Sequence, residues 1–522
     1  MILSLSSIVI RSISVIFNIF LSNTIGTEGM GLVTLTSGVY SFAITFATSG
    51  INFAVVRLVS SALPYNENDK SSLSSSILIS KIMHRAFLYC LLFSLIATIS
   101  LFFGAKPIGK YLLDDLRVVP SLKIMALSLI PISLSSAING YFYAVRRVYK
   151  NVIVSFFEQS IKISVISSLL ILVFPKKVSY AALAVALGGL VGELGSMLLN
   201  LALFFLDKKK QKPRKSNNVT FWEMVSKRDE SPEPPLPSVF GSAFPIAVSA
   251  YARSFLNTIE HLLIPWGLKR NGLAGGMALA SYGTLCGMVF PLIFFPSSVL
   301  GAFSSLLIPE IASSFQAKDF SRIKRIVSKV FGFSLIFSIC VSGVFISFSQ
   351  EIGLYFFNSL EAGIFIKLLA PLIPIMYLDS AVDAILKGLG EQVYSMRINI
   401  IDSLISVFLV LILLPKIGIY GYIIVIYITE LFNASFSIIR LLNKTKIKPR
   451  VLKWIVKPIL SIVLATVSCR FVFNYLFFHL LSLGKPSLIF EIIICVLSYI
   501  LFSKLFGSFS KEESALIKKC FS

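Results

Sequence analysis

Apolar runs recur along this chain from its first residues to its last. An α-helix needs about 20 mostly apolar residues to cross a hydrocarbon core of about 30 Å, and many of these runs reach that length. The chain has 522 residues, of which 56% are hydrophobic and only 14% charged, and its mean hydropathy is +0.85. A water-soluble protein of this length would need far more polar surface. The sequence therefore predicts an all-α polytopic membrane protein whose main partner is the lipid bilayer.

The apolar runs predict about 14 transmembrane helices. The first six are predicted at Leu3–Ser22, Leu32–Val59, Ile82–Phe103, Val118–Val145, Val152–Phe174 and Ser179–Leu206. Six more are predicted at Val239–Gly267, Met277–Ile308, Ile326–Phe348, Ile364–Leu386, Ser395–Leu414 and Gly418–Leu441. The last two are predicted at Leu452–Phe478 and Ser487–Phe506. The first apolar run is expected to remain as a membrane helix and not to be cleaved as a signal peptide.

The two halves of the chain resemble each other in sequence. FPKKVSYAALAV (Phe174–Val185) matches LPKIGIYGYIIV (Leu414–Val425) at an offset of 240 residues, and Ser128–Asn151 resembles Pro371–Met396 at a similar offset. Because six helices is an even number, both copies start on the same side of the membrane, as in transporters with two parallel repeats. We therefore expect two pseudo-symmetric six-helix lobes, at 1–206 and 239–442, followed by two C-terminal helices and a tail at 443–522.

The segment between the predicted lobes, from 207 to 238, is basic and proline-rich, with the stretches DKKKQKPRK and SPEPPLP. This composition is typical of a tether and not of a folded domain. Lys and Arg concentrate in alternate loops, including 146–150, 207–228, 318–329 and 440–457. By the positive-inside rule, this bias predicts that the linker and both termini are cytoplasmic in a cell-membrane protein.

Two predicted helices, the first and the seventh, carry polar residues inside apolar runs. Arg11 and Asn18 are seven residues apart on the first helix, and Arg253 and Asn257 are four apart on the seventh, so each pair shares one helix face. A charge deep in a membrane is costly, and it is expected to face a cavity or a partner. Two roles remain open for these arginines: binding an anionic substrate, or forming a structural ion pair. Arg57 lies near a helix end, where anchoring at lipid headgroups is a third alternative.

Glu260 and His261 continue the same polar face of the seventh helix and are candidates for ion coupling, because a buried histidine can titrate near neutral pH. They are also candidates for a purely structural hydrogen-bond role. Two further pairs, Glu158 with Lys162 and Asp383 with Lys387, have a spacing of four residues and are expected to neutralise themselves on one helix.

Several classes of site are not predicted. The formal charge of +23 suggests topology control and not nucleic acid as a partner, because the basic residues lie in loops of a membrane protein. Three histidines and six scattered cysteines have no metal-ligand spacing. The glycine clusters, Gly26 to Gly31 and Gly272 to Gly276, are expected to form turns, and the ATP-binding pattern GxxxxGK[ST] is missing from the sequence. No cofactor or metal is therefore predicted, and no enzyme activity.

Longer stretches carry a resemblance to a known family. The segments Gly26–Ser60, Asn139–Lys162, Ala252–Gly272 (ARSFLNTIEHLLIPWGLKRNG), Ser281–Phe315 and Ile385–Leu442 resemble the stage V sporulation protein B group. That group lies in the polysaccharide-exporter branch of the multidrug/oligosaccharidyl-lipid/polysaccharide (MOP) flippase superfamily. The resemblance implies fourteen helices and the movement of an undecaprenyl-pyrophosphate-linked oligosaccharide or peptidoglycan precursor, lipid II-like and serving the spore cortex, across the plasma membrane. It also implies cavity arginines that bind pyrophosphate, here Arg11, Arg253 and Arg57.

Two kinds of transporter are therefore weighed. A flippase for a lipid-linked glycan, acting as a monomer, explains the sequence repeat, the arginines inside helices and the 45 phenylalanines. A drug/cation antiporter of the same superfamily is the alternative, but it is expected to place carboxylates in its cavity, and the first helix carries Arg11 and no acid. A membrane-embedded glycosyltransferase is disfavoured, because the predicted outer loops are short and have no DxD motif.

Overall fold

The computed structural model describes residues 2–48, 50–63, 72–173, 178–210, 239–447, 449–472 and 487–508. Within these ranges the secondary structure is helical, without strands. The helices of the N-terminal half are α1 (Ile2–Thr48), α2 (Ile51–Ala62), α3 (Ser72–Pro107), α4 (Val119–Ala144), α5 (Tyr149–Ser168) and α6 (Val178–Lys210). The next are α7 (Val239–Arg270), α8 (Gly275–Tyr282), α9 (Phe290–Phe294), α10 (Ser297–Gln316), α11 (Phe320–Ser347), α12 (Ser349–Phe357) and α13 (Leu360–Leu369). The last are α14 (Ile373–Gly388), α15 (Gln392–Ile417), α16 (Ile419–Thr445), α17 (Lys457–Val472) and α18 (Ser487–Leu505).

The described residues contain twelve helical segments long and apolar enough to cross a membrane. The first of them, Ser6–Ala62, covers two of the predicted helices. The helix α7 is not among the twelve, and it carries Arg253, Glu260 and His261. The all-α membrane fold is therefore confirmed, and the count of fourteen stays a prediction. Of the predicted linker at 207–238, the structure describes only the end of α6, to Lys210.

The chain forms two compact units. The first unit contains Met1–Leu35, Lys176–Ala181 and Leu256–Ser522, and the second contains Thr36–Pro175 and Ala182–Phe255. Both α1 and α7 run from one unit into the other, so neither unit has the bounds of a predicted lobe. The division into lobes at 1–206 and 239–442 stays a prediction from the repeat.

In the second unit, the core is built from the buried faces of α2, α3 and α4. Ile51, Val55 and Phe142 are fully buried there. Gly140 on α4 lets α2 approach closely, since a Cβ at this position would lie 2.8 Å from the Asn52 carbonyl oxygen. Near the C-terminal end of α6, the Asp207 carboxylate forms ion pairs with the Arg147 and Lys150 side chains.

In the first unit, the last two helices pack against each other and against α11. The Tyr499 hydroxyl on α18 donates to the Ile336 carbonyl at 2.7 Å. Arg470 on α17 donates to the Ser347 carbonyl and contacts Glu351 at 3.1 Å. These polar contacts hold the C-terminal helices on one side of the first unit.

Proline and a π-helical turn divide two helices that the sequence predicted as continuous. The predicted helix Met277–Ile308 is α8, a π-helix at Gly283–Val289, α9 and α10, with Pro296 immediately before α10. The predicted helix Ile364–Leu386 is α13, a 3₁₀ turn at Ala370–Leu372 and α14. Proline has no backbone N–H to donate, so each of these runs changes its hydrogen-bond pattern where prolines occur.

The predicted turn at Gly26 to Gly31 involves fewer residues than expected. Gly26 alone leaves helical geometry, with φ of 74° and ψ of −179°, and the chain bends there within α1. Gly29 and Gly31 are helical. Among the second cluster, Gly272 has φ of 98° and forms the turn after α7, whereas Gly275 and Gly276 begin α8. Glycine is the residue that adopts such positive φ values without a steric cost.

Gly31 and a further glycine, Gly283, bring backbones into contact inside the first unit. A Cβ on Gly31 would lie 2.1 Å from the Leu279 carbonyl oxygen of α8. A Cβ on Gly283, just after α8, would lie 2.3 Å from both the Gly31 nitrogen and the Thr27 carbonyl oxygen. We call this contact the Gly31–Gly283 crossing. Small residues at such a crossing allow membrane helices to approach more closely than larger side chains do.

Candidate functional site

Arg11 and Arg253 both lie well inside long helices. At about 1.5 Å of rise per residue, they are roughly 14 Å and 21 Å from the first residues of α1 and α7. Both side chains are exposed, and neither makes a hydrogen bond or an ion pair with another described residue. Arg11 belongs to the first unit and Arg253 to the second. Among the described residues, the structural ion pairs that the sequence left open for these arginines are not formed.

Arg57 and Asn18 complete the predicted substrate-binding set. Arg57 is exposed on α2, a helix whose buried residues include Ala54, Val55 and Leu58. It lies within five residues of the end of this helix, a position suited to lipid headgroups as well as to a substrate. Asn18 is half-buried on α1, on the same helix as Arg11.

The remaining predicted residues, Asn257, Glu260 and His261, meet neighbouring helices of the first unit. The Tyr422 hydroxyl on α16 donates to the Glu260 carboxylate at 3.1 Å. The Tyr282 hydroxyl at the end of α8 lies 2.9 Å from His261 Nδ1.

The Ser403 hydroxyl on α15 approaches the Asn257 side-chain oxygen at 3.4 Å. We call these six residues the α7 polar cluster: Asn257, Glu260, His261, Tyr282, Ser403 and Tyr422.

The α7 polar cluster contains an acid and an imidazole at consecutive positions of α7, each with its own tyrosine partner. Tyr282 is fully buried and Tyr422 nearly so, which excludes water from this side of both groups. Such an arrangement can accept and hold a proton, because carboxylate and imidazole are both bases. Among the described residues, no group of three or more histidine, cysteine or acidic side chains is arranged to hold a metal ion.

A cluster that the sequence predicted only in part lies in the second unit. Lys162 pairs with Glu158 at 2.6 Å, as the spacing of four residues predicted, and also with Glu193 of α6 at 2.7 Å. The similar pair in the first unit, Asp383 with Lys387 at 2.6 Å, has no third ion-pair partner among the described residues. The sequence does show Glu193 as a charged residue inside the apolar run of α6. It does not show that Glu193 pairs with Lys162, which lies 31 residues away.

Two family models match the chain. The model described as "Polysaccharide biosynthesis protein" matches residues 1–228, and the model described as "MatE" matches residues 269–412. The first match extends beyond the predicted lobe 1–206 into the predicted linker, and the second lies within 239–442.

Two proteins of Bacillus subtilis (strain 168) are similar to this chain in sequence. Stage V sporulation protein B is 25% identical over 423 residues, which is 81% of this chain and 78% of that protein. Sporulation protein YkvU is 27% identical over 136 residues, which is 26% of this chain and 30% of that protein.

Solved structures share the fold. An inward-facing multidrug resistance MATE family transporter of the MOP superfamily matches with a TM-score of 0.64 at 11% identity, over 85% of this chain and 98% of that one. The lipid II flippase MurJ in an inward closed conformation matches with a TM-score of 0.60 at 17% identity, over 97% and 99% of the two chains. An outward-facing MATE transporter has a TM-score of 0.54 at 13% identity, over 85% and 94%. At sequence identities this low, the similarity to these structures shows a shared fold and nothing more.

Proposed function

Because this chain belongs to the MOP exporter superfamily and is a multi-pass bacterial membrane protein, we propose that it is a flippase for lipid-linked glycans. Its substrate in this proposal is an undecaprenyl-pyrophosphate-linked oligosaccharide or a lipid II-like peptidoglycan precursor, carried from the inner to the outer leaflet. The sequence similarity to a sporulation protein supports a precursor of the spore cortex as the finer assignment.

The observation that carries the proposal is the pair of exposed arginines on long helices. Arg11 and Arg253 make no ion pair with another described residue, although a charge inside a membrane costs at least a few kcal/mol. A pyrophosphate linkage carries about two negative charges and needs cationic partners in a medium of low dielectric constant. Guanidinium groups stay ionised and bind phosphate oxygens through two parallel N–H bonds.

The mechanism in this proposal is alternating access by a monomer. The two predicted lobes bind the headgroup, with Asn18, Asn257 and Arg57 as further polar contacts, and the prenyl tail stays in lipid. With both termini in the cytoplasm, as the positive-inside rule predicts, the headgroup enters from the inner leaflet. The change of state then exposes it to the outer face, without a chemical reaction on the substrate.

A second candidate function is favoured by the α7 polar cluster. Glu260 and His261 are consecutive residues of α7, each within hydrogen-bond distance of a tyrosine, and they lie shortly before the segment 269–412 that the MatE model matches. A carboxylate in a membrane attracts cations, so this cluster supports drug/cation antiport by the same fold. In the flippase proposal, Glu260 and His261 instead couple substrate movement to an ion.

The test is a flipping assay in vesicles that contain the purified full-length chain. The probe is a fluorescent undecaprenyl-pyrophosphate disaccharide, and a cationic dye is offered in parallel. Arg11→Ala and Arg253→Ala are each expected to lower the flipping rate at least about tenfold, the loss of one charge-assisted hydrogen bond of about 1.5 kcal/mol or more. The corresponding lysine variants are expected to restore only part of the rate, since lysine lacks the paired donors.

Arg325→Ala is the matched control, because Arg325 is an exposed arginine in the first turns of α11, outside the predicted site. It is expected to flip the probe at the normal rate. Full activity of both alanine variants at normal protein levels would contradict the flippase proposal. Transport of the dye with no movement of the glycan probe would instead favour the antiporter.

A further inference from the structure

Three ionisable side chains meet inside the second unit, and the proposed function does not use them. The Lys162 ammonium donates to a Glu158 carboxylate oxygen at 2.6 Å and to a Glu193 carboxylate oxygen at 2.7 Å. Glu158 and Lys162 lie on α5, and Glu193 lies on α6. We call these three residues the Lys162 trio.

The trio lies at the depth where charge is most costly. Lys162 is near the middle of the membrane-spanning segment Tyr149–Val173, and Glu193 is near the middle of Tyr180–Asp207. A residue ten positions from a helix end is about 15 Å along the helix axis, half the thickness of a hydrocarbon core. Ionisable groups at such a position are rare, and they mark ion or proton pathways in many membrane proteins.

The backbone of α6 is shaped to receive the lysine. A Cβ on Gly192 would lie 2.4 Å from Lys162 Cγ, so only glycine lets the lysine stem cross α6 at this point. Gly188 and Gly195 lie one turn away on the same side of α6. Added Cβ atoms there would lie 2.3 Å and 2.7 Å from side-chain carbons of α5 residues. The lysine stem is thereby held in a groove of α6, with its ammonium between the two carboxylates.

The charges of the trio do not balance. One ammonium faces two carboxylates, which leaves a net charge of −1 when all three are ionised. Beside the trio, Tyr40 of α1 is hydrogen-bonded to Ser128 of α4. Among the described residues, the charged side chains close enough to act on Tyr40 are Glu193, Lys162 and Glu158 themselves. Phenol and alcohol groups are neutral near pH 7, so the excess negative charge stays within the trio.

The two corresponding helices of the other half are linked without a lysine. The corresponding helix pair in the other half of the chain is α15 with α16, because the repeat relates residues 174–185 to residues 414–425. There the Asn433 side-chain amide donates to the Asn399 side-chain oxygen at 2.9 Å, an uncharged link between the same two helices. At the offset of 240 residues, Asp402 stands where Lys162 would be. The lysine-centred arrangement is therefore specific to one copy, whereas the other copy has acids on the same two helices, Asp402 on α15 and Glu430 on α16.

We propose that Glu158, Lys162 and Glu193 form a proton-binding site of the second unit. One proton taken from water forms an O–H bond on one carboxylate and brings the trio to zero net charge. Its release to water restores the carboxylate and the net charge of −1. A metal cation is a poorer occupant, because the ammonium already lies between the carboxylate oxygens. The existence of the proton-binding site does not depend on the proposed function. Only the use of this site to drive transport rests on the proposed function.

The test is an infrared titration of the purified full-length protein in lipid nanodiscs, between about pH 5 and pH 9, in H₂O and D₂O. Among the carboxylic acid absorptions that the wild type loses as the pH rises, one is expected to belong to the trio. The absorption is expected to be missing from Glu158→Gln and from Glu193→Gln, because each variant leaves one carboxylate for one ammonium. Two variants on different helices keep the test valid if one of them fails to fold. Asp383→Asn is the control, since it alters a balanced pair of the same spacing and distance.

Retention of the absorption in both glutamine variants, or no titrating carboxylic acid in the wild type, overturns the proposal. A transport measurement separates it from the proposed function. If the site drives flipping, the wild-type rate is expected to change up to about tenfold per pH unit on one side of the titration midpoint. Both glutamine variants should then show a flat profile. A titrating trio in a protein that moves no glycan probe would count against the proposed function and leave the proton site in place.

Discussion

The Gly31–Gly283 crossing gives the sharpest prediction about stability, because backbone atoms meet there. Gly283→Ala places a Cβ 2.3 Å from the Gly31 nitrogen and the Thr27 carbonyl oxygen, and 2.8 Å from the Gly31 Cα. Ordinary carbon contacts are 3.5 Å or longer, so the two helices must separate by about 1 Å. Neither neighbour is a side chain that can rotate away. We therefore expect a cost near the upper end of the ~1–3 kcal/mol usual for overpacking.

The five buried cysteines of the described residues supply the assay. A thiol-reactive dye that fluoresces on reaction will report unfolding as the detergent-solubilised protein is heated. A domain of 150–250 residues loses roughly 2–4 °C of Tm per kcal/mol, and a larger unit loses less, so a fall of several degrees is expected for Gly283→Ala. Gly31→Ala should behave alike, since its Cβ would lie 2.1 Å from the Leu279 carbonyl oxygen. The double variant should lose less than the sum, because the helices have already separated.

Gly301→Ala is the matched control for this experiment. Gly301 lies inside α10 of the same unit, and an added Cβ meets nothing within 4 Å. Alanine is favoured over glycine in a helix by about 0.5–1 kcal/mol, so its Tm should be equal or slightly higher. An unchanged Tm in Gly283→Ala, or an equal fall in Gly301→Ala, would refute the close-contact reasoning.

Two more predictions concern the ends of the helices. Hydrogen bonds from Lys444, and to a smaller extent from Arg440, lower the pKa of the Glu391 carboxyl. The ionised carboxylate therefore stabilises the folded protein above the ordinary glutamate pKa, and this stabilisation is lost as the pH falls through the lowered pKa. Glu391→Gln should therefore lower the Tm slightly at pH 7, by an amount equivalent to at most about 1 kcal/mol for an exposed pair, and by less as the pH falls below the ordinary pKa of a glutamate. An effect that does not shrink with falling pH would argue against the ion pair. Cysteine at Tyr111, which is 75% exposed, should react with an impermeant thiol reagent in intact cells, whereas cysteine at the exposed Asn443 should not; the reverse pattern would invert the predicted orientation.

Hydrophobic length was enough to predict the fold class and the general positions of the spanning helices. It did not predict how glycine and proline act inside those helices. Gly31 and Gly26 are five residues apart, yet one allows a helix crossing and the other bends the chain. Which of these a glycine does depends on the helix that packs against it, and the partner of Gly31 lies in a distant segment of the chain. A sequence pattern within one helix does not carry that information.

For the candidate sites too, contacts between residues close together in the sequence were predicted, and contacts between distant segments were not. The pair Glu158 and Lys162 was predicted correctly, because residues four apart on a helix are neighbours by geometry. Glu193 was missed as their partner, because that contact depends on the rotation of α6 about its own axis. Tyr282 and Tyr422 were missed for the same reason: tyrosine in an apolar run gives no sign of which buried acid or imidazole it will meet.

The first unit is formed from segments that lie far apart in the chain, and this affects the order in which the protein assembles. This unit joins the first 35 residues to everything from Leu256 onward, so the helix that is made first belongs to the unit that is made last. At a synthesis rate of roughly 5–20 residues per second, about 220 intervening residues take on the order of 10–40 seconds. During that interval α1 is already in the bilayer without the helix that Gly31 will contact. A defect at Gly31 should therefore slow the final assembly of the protein while leaving the insertion of its first helices unaffected.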